Sequence, residues 1–152
     1  MIDEGTEAPD FELTSDDGST VRLSELRGKP VVLYFYPKDD TPGCTTQACG
    51  IRDVYGELER AGAVVLGVSP DSESSHVKFK EKYGLPFTLL ADPDHEVADL
   101  YGVWGEKTYG GRTYMGIDRS TFVVGEDGTV KKVMRSVKPD THADQVLAVL
   151  AG

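Results

Sequence analysis

The stretch from Val31 to Cys49 limits what this chain can fold into more than any other. It opens with Val31-Val32-Leu33-Tyr34-Phe35-Tyr36, an apolar run of β-branched and aromatic residues that reads as a buried strand. Pro37-Lys38-Asp39-Asp40-Thr41-Pro42-Gly43 follows, then Cys44-Thr45-Thr46-Gln47-Ala48-Cys49. Thr41 before Pro42 reads as a helix N-cap with proline at the first helical position. Cys44 then occupies the third helical position. Unpaired backbone N–H groups and the positive end of the helix dipole converge there. Such surroundings favour the reactive thiolate of a cysteine. The sequence therefore proposes a cysteine nucleophile at a strand-to-helix junction.

The rest of the chain sets the frame. At 152 residues it suits one domain, residues 1–152, with no linker, repeat or low-complexity tract. A formal net charge of −10 argues against a nucleic-acid backbone or an anionic membrane as the main partner, and serves solubility. No apolar stretch is long enough to span a bilayer. Met1-Ile2-Asp3-Glu4 lacks the basic-then-apolar plan of a secretory signal, and no Arg- and Ser-rich transit peptide is present. The expected location is the cytoplasm, where disulfides are usually transient and catalytic or sensing.

Patterning predicts the elements in order. Phe11–Thr14 and Thr20–Leu23 form a hairpin across Ser15–Ser19, and Ser24–Arg27 one helical turn closed by Gly28. Val31–Tyr36 is the first central strand. Cys44 to about Arg60 is a helix with Ala48, Ile51, Tyr55 and Leu58 on one face. Ala63–Val68 and Phe87–Leu90 are strands on either side of a charged helix, Asp71–Tyr83, whose weak apolar face carries Val77, Phe79, Lys80 and Tyr83. Asp94–Tyr101 is a short helix with Val97, Leu100 and Tyr101 inward. Ser120–Val124 and Thr129–Met134 flank the hairpin signal Glu126-Asp127-Gly128, and Ala143–Leu150 is a closing helix. The alternation gives an α/β fold. Its mixed central sheet is flanked by helices and carries an added N-terminal β-hairpin, an order compatible with a thioredoxin-like sandwich.

Cys44 and Cys49 are the only cysteines. Their spacing is not the Cys-x-x-Cys of a dithiol redox motif. A zinc site would need four ligands, and His76, His95 and His142 are far apart in sequence; each reads as a surface or satisfied structural residue. Residues five apart on an α-helix have Cα atoms about 8.7 Å apart. Disulfides rarely tolerate more than about 7 Å. The pair cannot bond while the helix stands, so either no disulfide forms or the first turns unwind. Thr45 and Thr46 are β-branched, and Gly50 costs a helix about 1 kcal/mol relative to Ala, which favours unwinding. Two inert buried thiols are the alternative on residue chemistry alone.

Pro37-x-x-x-Thr41-x-x-Cys44, and the wider string from Tyr36 to Asp53, resemble the active-site region of the peroxiredoxin family, in particular the subgroup called peroxiredoxin Q or bacterioferritin comigratory protein. The resemblance runs almost the full length, through Phe87–Asp92, Gly102–Lys107, Arg112–Ile117 and Arg119–Phe122; Gly110-Gly111 departs from relatives that carry a bulkier first residue. It implies a thioredoxin-dependent thiol peroxidase acting on hydrogen peroxide and alkyl hydroperoxides. Cys44 matches the peroxidatic cysteine and Cys49 the resolving cysteine, with an intrachain disulfide as the product. Thr41, Arg119 and Pro37 match the supporting residues, and the Gly43 and Cys44 amides are further substrate donors. Thioredoxin is the implied reductant, with glutaredoxin accepted by some members. A monomer without metal, haem or flavin is expected. Linear sequence alone gives no reason to place Arg119 near Cys44. Trp104, Tyr109, Tyr114 and Phe87 read as core or loop anchors before a rim for organic peroxides. A protein-disulfide oxidoreductase and a redox sensor using the same cysteine pair are the competing readings.

Overall fold

The computed structural model describes residues 2–151, the side chains of Tyr109 and Ala151 excepted. Nine strands and five helices follow one another. They are β1 (Glu12–Ser15), β2 (Thr20–Arg22), β3 (Val31–Phe35), α1 (Pro42–Asp53), α2 (Tyr55–Arg60), β4 (Val64–Ser69), α3 (Glu73–Tyr83), β5 (Thr88–Ala91), α4 (Glu96–Leu100), β6 (Trp104–Tyr109), β7 (Arg112–Ile117), β8 (Ser120–Val124), β9 (Val130–Met134) and α5 (His142–Ala151). A single 3-10 turn, Leu23–Leu26, follows β2. Seven strands make one mixed sheet in the order β2-β1-β5-β4-β3-β8-β9. The central β5, β4 and β3 are parallel, and antiparallel pairs add β1 at one side and β8 at the other. The expected α/β architecture with its N-terminal hairpin is the one observed.

The pleat of β3 divides the core in two. Val31, Leu33 and Phe35 point to one face, where they meet Phe11, Leu66, Val68, Tyr101 and Phe122. Val32, Tyr34 and Tyr36 point to the other, against Cys44, Ala48 and Ile51 of α1, Phe79 of α3 and Val146 of α5. Every residue of β3 is buried, which explains its unbroken apolar sequence. The antiparallel register pairs Phe35 with Ser120. The start of β8 therefore lies beside the end of β3, where the chain turns toward α1. Arg119, immediately before β8, reaches the helix start by strand pairing alone.

Three expectations need correction. The helix expected from Cys44 to Arg60 is two helices, broken at Val54 with φ −109° and ψ 9°. There the N–H of Val54 bonds the Ile51 carbonyl at 3.2 Å, a tightened last turn. A β-branched valine ahead of Tyr55-Gly56 is a weak continuation. Leu100 faces outward at 48% exposure, and Ala98 takes the inward place. Residues 104–117 form a two-stranded hairpin, β6 with β7, which the sequence reading left without structure. Gly110 and Gly111, with φ of 59° and 78°, supply the two positive angles that a tight hairpin turn demands. Arg112, Thr113, Tyr114 and Met115 are all exposed, so no apolar alternation announced the strands.

Gly67 in the middle of β4 marks the tightest packing on the α1 side. A Cβ there would meet Leu89 Cδ2, Tyr34 Cζ and Tyr34 Oη at 3.0 Å each. Tyr34 and Leu89 are fully buried and have no room to yield. Gly67→Ala is expected to destabilise the fold by about 1–3 kcal/mol, read as a lower urea midpoint at unchanged slope. An unchanged midpoint would show that the Tyr34 ring can shift.

Candidate active site

The loop between β3 and α1 is pinned from behind. The Asp39 carboxylate is buried and accepts from the Tyr36 hydroxyl at 2.6 Å, Ser75 at 2.8 Å and His76 Nδ1 at 2.7 Å. Its backbone N–H donates to Asp71 Oδ2 at 2.7 Å. His76 Nε2 donates to the Leu90 carbonyl at 2.9 Å. With a carbonyl on one side and a carboxylate on the other, both ring nitrogens face acceptors. Burial works against a charge on His76, but the Asp39 hydrogen bond and negative charge, helped by the Leu90 carbonyl and Asp71, hold its pKa above the ordinary value. Asp40 takes the left-handed conformation, φ 56°, which aspartate tolerates. Its carboxylate accepts from Lys82 and Tyr83 at 2.8 Å each.

From this anchored loop the chain enters α1. Thr41 has the extended backbone of an N-cap, but its hydroxyl donates to the Lys38 carbonyl at 2.9 Å and makes no cap bond. The amides of Gly43 and Cys44, which helix geometry leaves without an intrahelical acceptor, are therefore not covered by Thr41. Cys44 is the third helical residue, as the sequence indicates, and is 2% exposed. Cys49 is half-buried on the same uninterrupted helix, and both thiols are free. Pro37 is exposed. Among the described residues Tyr34 Oη, in the same apolar cluster as Cys44, is one of two buried side-chain atoms without a hydrogen-bond partner.

Arg119 comes to the helix start from the other side. A Cβ on Gly43 would lie 3.2 Å from Arg119 Nη2 and 3.5 Å from Pro139 Cγ, so glycine lets the guanidinium lie close to the first turn without being pushed aside. Arg119 Nη1 donates to Gln47 Oε1 at 2.6 Å. Gln47, wholly buried, has its Nε2 3.2 Å from His142 Nδ1, and His142 Nε2 lies 2.7 Å from Thr121 Oγ1. Burial, then the Arg119 charge, lower the His142 pKa to about 4, so its ring is neutral at pH 7.

The structure thus brings Thr41, Gly43, Cys44 and Arg119 to one helix start, with Cys49 farther along the same helix. Gln47 and His142 carried no functional reading in sequence. Gln47 had a signal, a polar residue on the Cys44–Ala48–Ile51 face of the helix. His142 had none, since its partners lie far away in the chain. His76 and His142 are both buried with both ring nitrogens hydrogen-bonded, and His95 stacks on Trp104 with centroids 3.9 Å apart. Phe87 is core, Tyr114 is exposed, and the Tyr109 side chain is outside the described ones. Among the described residues no group of three His, Cys, Asp or Glu could hold a metal, and no helix is long and apolar enough to cross a membrane.

The model of the AhpC/TSA family matches residues 5–133. The chain belongs to this family. It is 50% identical to peroxiredoxin Bcp of Bacillus subtilis over 149 residues, 98% of this chain and 95% of that one. It is 48% identical to peroxiredoxin Bcp of Escherichia coli K12, covering 94% and 92%. Among solved structures, a cysteine-to-serine mutant of Xylella fastidiosa PrxQ superposes with a TM-score of 0.94 at 34% identity, covering 99% and 96%. Xanthomonas campestris bacterioferritin comigratory protein, whose structures concern its alkyl peroxide reduction activity, gives a TM-score of 0.91 at 40% identity, covering 98% of each chain. The expected thioredoxin-like fold and peroxiredoxin resemblance therefore hold.

The two buried histidines set a pH dependence of opposite sign. Free histidine titrates at about 6.5. For His142 the folded pKa is depressed, so the unfolded chain binds the extra proton between 6.5 and about 4, and stability falls as pH drops through that window. The loss amounts to about 3 kcal/mol when complete. For His76 the folded pKa is raised, so the folded chain keeps the extra proton above 6.5, and stability falls as pH climbs through the folded value. Stability of Cys44→Ser, which removes the thiol, should peak near pH 6.5 in urea titrations from about pH 5 to about pH 8. A monotonic curve would contradict the pair.

Proposed function

We propose that this chain is a thiol peroxidase that reduces hydrogen peroxide and alkyl hydroperoxides through Cys44. The observation that carries the reading is the approach of Arg119 to Gly43 at the helix start that bears the buried Cys44. A thiolate attacks one oxygen of the peroxide, the O–O bond breaks, and hydroxide or alkoxide leaves and takes up a proton. Cys44 is oxidised by two electrons to the sulfenic acid. The helix N-terminus and the Arg119 guanidinium stabilise negative charge on sulfur and on the oxygens. The Arg119 fork and the Gly43 and Cys44 amides supply donors to the peroxide. The Thr41 hydroxyl turns from the Lys38 carbonyl toward it. Pro37 bounds the exposed end of the loop. The activity of the Xanthomonas relative toward alkyl peroxides supports the substrate class.

Cys49 then attacks the Cys44 sulfenic acid, the S–O bond breaks, and water leaves. The intrachain disulfide is reduced by a dithiol protein of the thioredoxin type through exchange, which frees both thiols. Single-turnover peroxide consumption divides these roles. Cys44→Ser should consume none, whereas Cys49→Ser should consume about one equivalent and stall as the sulfenic acid. Repeated thioredoxin-driven turnover by Cys44→Ser would refute the assignment.

Resolution requires α1 to open. Cα atoms five apart on a helix are about 8.7 Å from each other, beyond disulfide reach. The disulfide form should therefore lose amide-exchange protection over Thr45–Gly50 while Leu58 and the β-sheet keep theirs. Equal protection of Thr45–Gly50 in both redox forms, with the disulfide confirmed by mass, would sink this step.

A further inference from the structure

Arg119 and Cys44 belong to the proposed peroxide chemistry, but the buried groups behind Arg119 do not. They form a chain of three hydrogen bonds, from Arg119 to Gln47, from Gln47 to His142, and from His142 to Thr121. These residues come from four places: the approach to β8, α1, the first position of α5, and β8 itself. Gln47 and His142 are both 0% exposed. The two bonds of His142 are buried, and the bond from Arg119 is part-buried.

The direction of the chain follows from Arg119. A guanidinium only donates, so the Gln47 atom facing it must be the carbonyl oxygen. The Gln47 amide nitrogen then faces His142 and donates, so His142 Nδ1 must carry a lone pair. The remaining proton of the neutral ring sits on Nε2 and is given to the Thr121 hydroxyl oxygen. Reversing any link would set two donors against each other in a buried site. The Tyr34 ring packs on the imidazole, centroids 5.6 Å apart, and restrains its tilt.

We infer that His142 is a positioning residue for the peroxide reaction: as the neutral Nε2–H tautomer it fixes the Gln47 amide, which holds the Arg119 guanidinium over the first turn of α1. The inference rests on the peroxidase reading and deepens it. His142 touches neither the sulfur nor the peroxide in this arrangement. It acts by accepting from the Gln47 amide nitrogen, which restrains the side chain whose carbonyl oxygen the arginine selects. The groups turned toward it are Arg119 and Gln47, Thr121 from β8, and the Tyr34 ring from β3; Arg119 is the one charge that shifts it.

The same bonds tie this role to the cysteine cycle. Gln47 lies between Cys44 and Cys49 and moves with the turns that must unwind. When they open, Arg119 loses its acceptor and His142 its donor together. The guanidinium is then held in place only while α1 is folded, the state in which Cys44 meets peroxide.

Three measurements test the inference. Nitrogen-15 NMR of the reduced full chain at about pH 7 should show His142 protonated on Nε2 only. A ring protonated on Nδ1, or a charged ring, overturns it. Gln47→Glu replaces the amide donor by a second acceptor, so His142 should gain a proton on Nδ1 and titrate above 6.5; an unchanged titration overturns the assigned direction. Stopped-flow oxidation of Cys44 by hydrogen peroxide should slow about tenfold in His142→Phe, which fills the space but accepts nothing. His142→Asn, whose Oδ1 can stand where Nδ1 stood, should recover most of the rate. Parent-rate oxidation by His142→Phe overturns the positioning role. If His142→Phe fails to fold, the tautomer of the parent decides. If the parent itself ignores peroxide, the peroxidase reading falls, and the tautomer and Gln47→Glu results still judge the hydrogen-bond chain.

Discussion

A helix keeps residues five positions apart from forming a disulfide, and α1 carries both cysteines of this chain. Most of what is distinctive about the site is arranged around that constraint. The folded helix offers its N-terminus and its neighbour Arg119 to Cys44, while the same fold keeps Cys49 away. In the proposed cycle one segment therefore has to be stable enough to build the site and weak enough to abandon it. Thr45, Thr46 and Gly50 supply the weakness. Gln47, wedged between Arg119 and His142, opposes it, because opening would strip buried partners from three residues at once.

The two flanks of the site are built differently. The loop before α1 is fastened by Asp39 to Tyr36, Ser75 and His76, groups on β3's end and on α3 that take no part in α1. This anchor is indifferent to whether α1 is wound. The fastening on the other flank runs through Gln47 and is lost on opening. In the proposed cycle the asymmetry would let Cys44 change its surroundings while the chain ahead of it stays fixed to the sheet. The charge states differ in the same sense. His76 sits between two acceptors and is drawn toward the cation, whereas His142 is held neutral by its burial and then by the Arg119 charge.

Much of this was legible in sequence where a local rule governed it. The apolar run of β3, the Thr41-Pro42 start of α1 and the third helical position of Cys44 follow from patterning and helix-end chemistry, and the structure has all three. The hairpin of β6 and β7 escaped because its outward residues are exposed and only Gly110-Gly111 marks its turn. The break at Val54 escaped because the apolar face reads on through Leu58. Arg119 could be placed only by family resemblance, since strand pairing, a long-range event, brings it to Cys44. His142 was beyond reach for the same reason: its partners Gln47 and Thr121 lie in other elements, and nothing in a linear chain says that a histidine will be buried beside an arginine.

In the proposed cycle the break at Val54 would also fix the stroke of the opening helix. Because α1 and α2 are separate rods, a melt that begins at Pro42 meets a ready-made joint twelve residues on and need not drag Leu58 out of the core. Arg52, whose Nη1 donates to the Tyr83 carbonyl at 2.7 Å, rivets the last turn of α1 to the end of α3 just ahead of that joint. In the proposed cycle the travel of Cys44 toward Cys49 is thus bounded like a hinged flap, with its free edge at the Cys44 thiol and its pin at the Arg52 bond to α3.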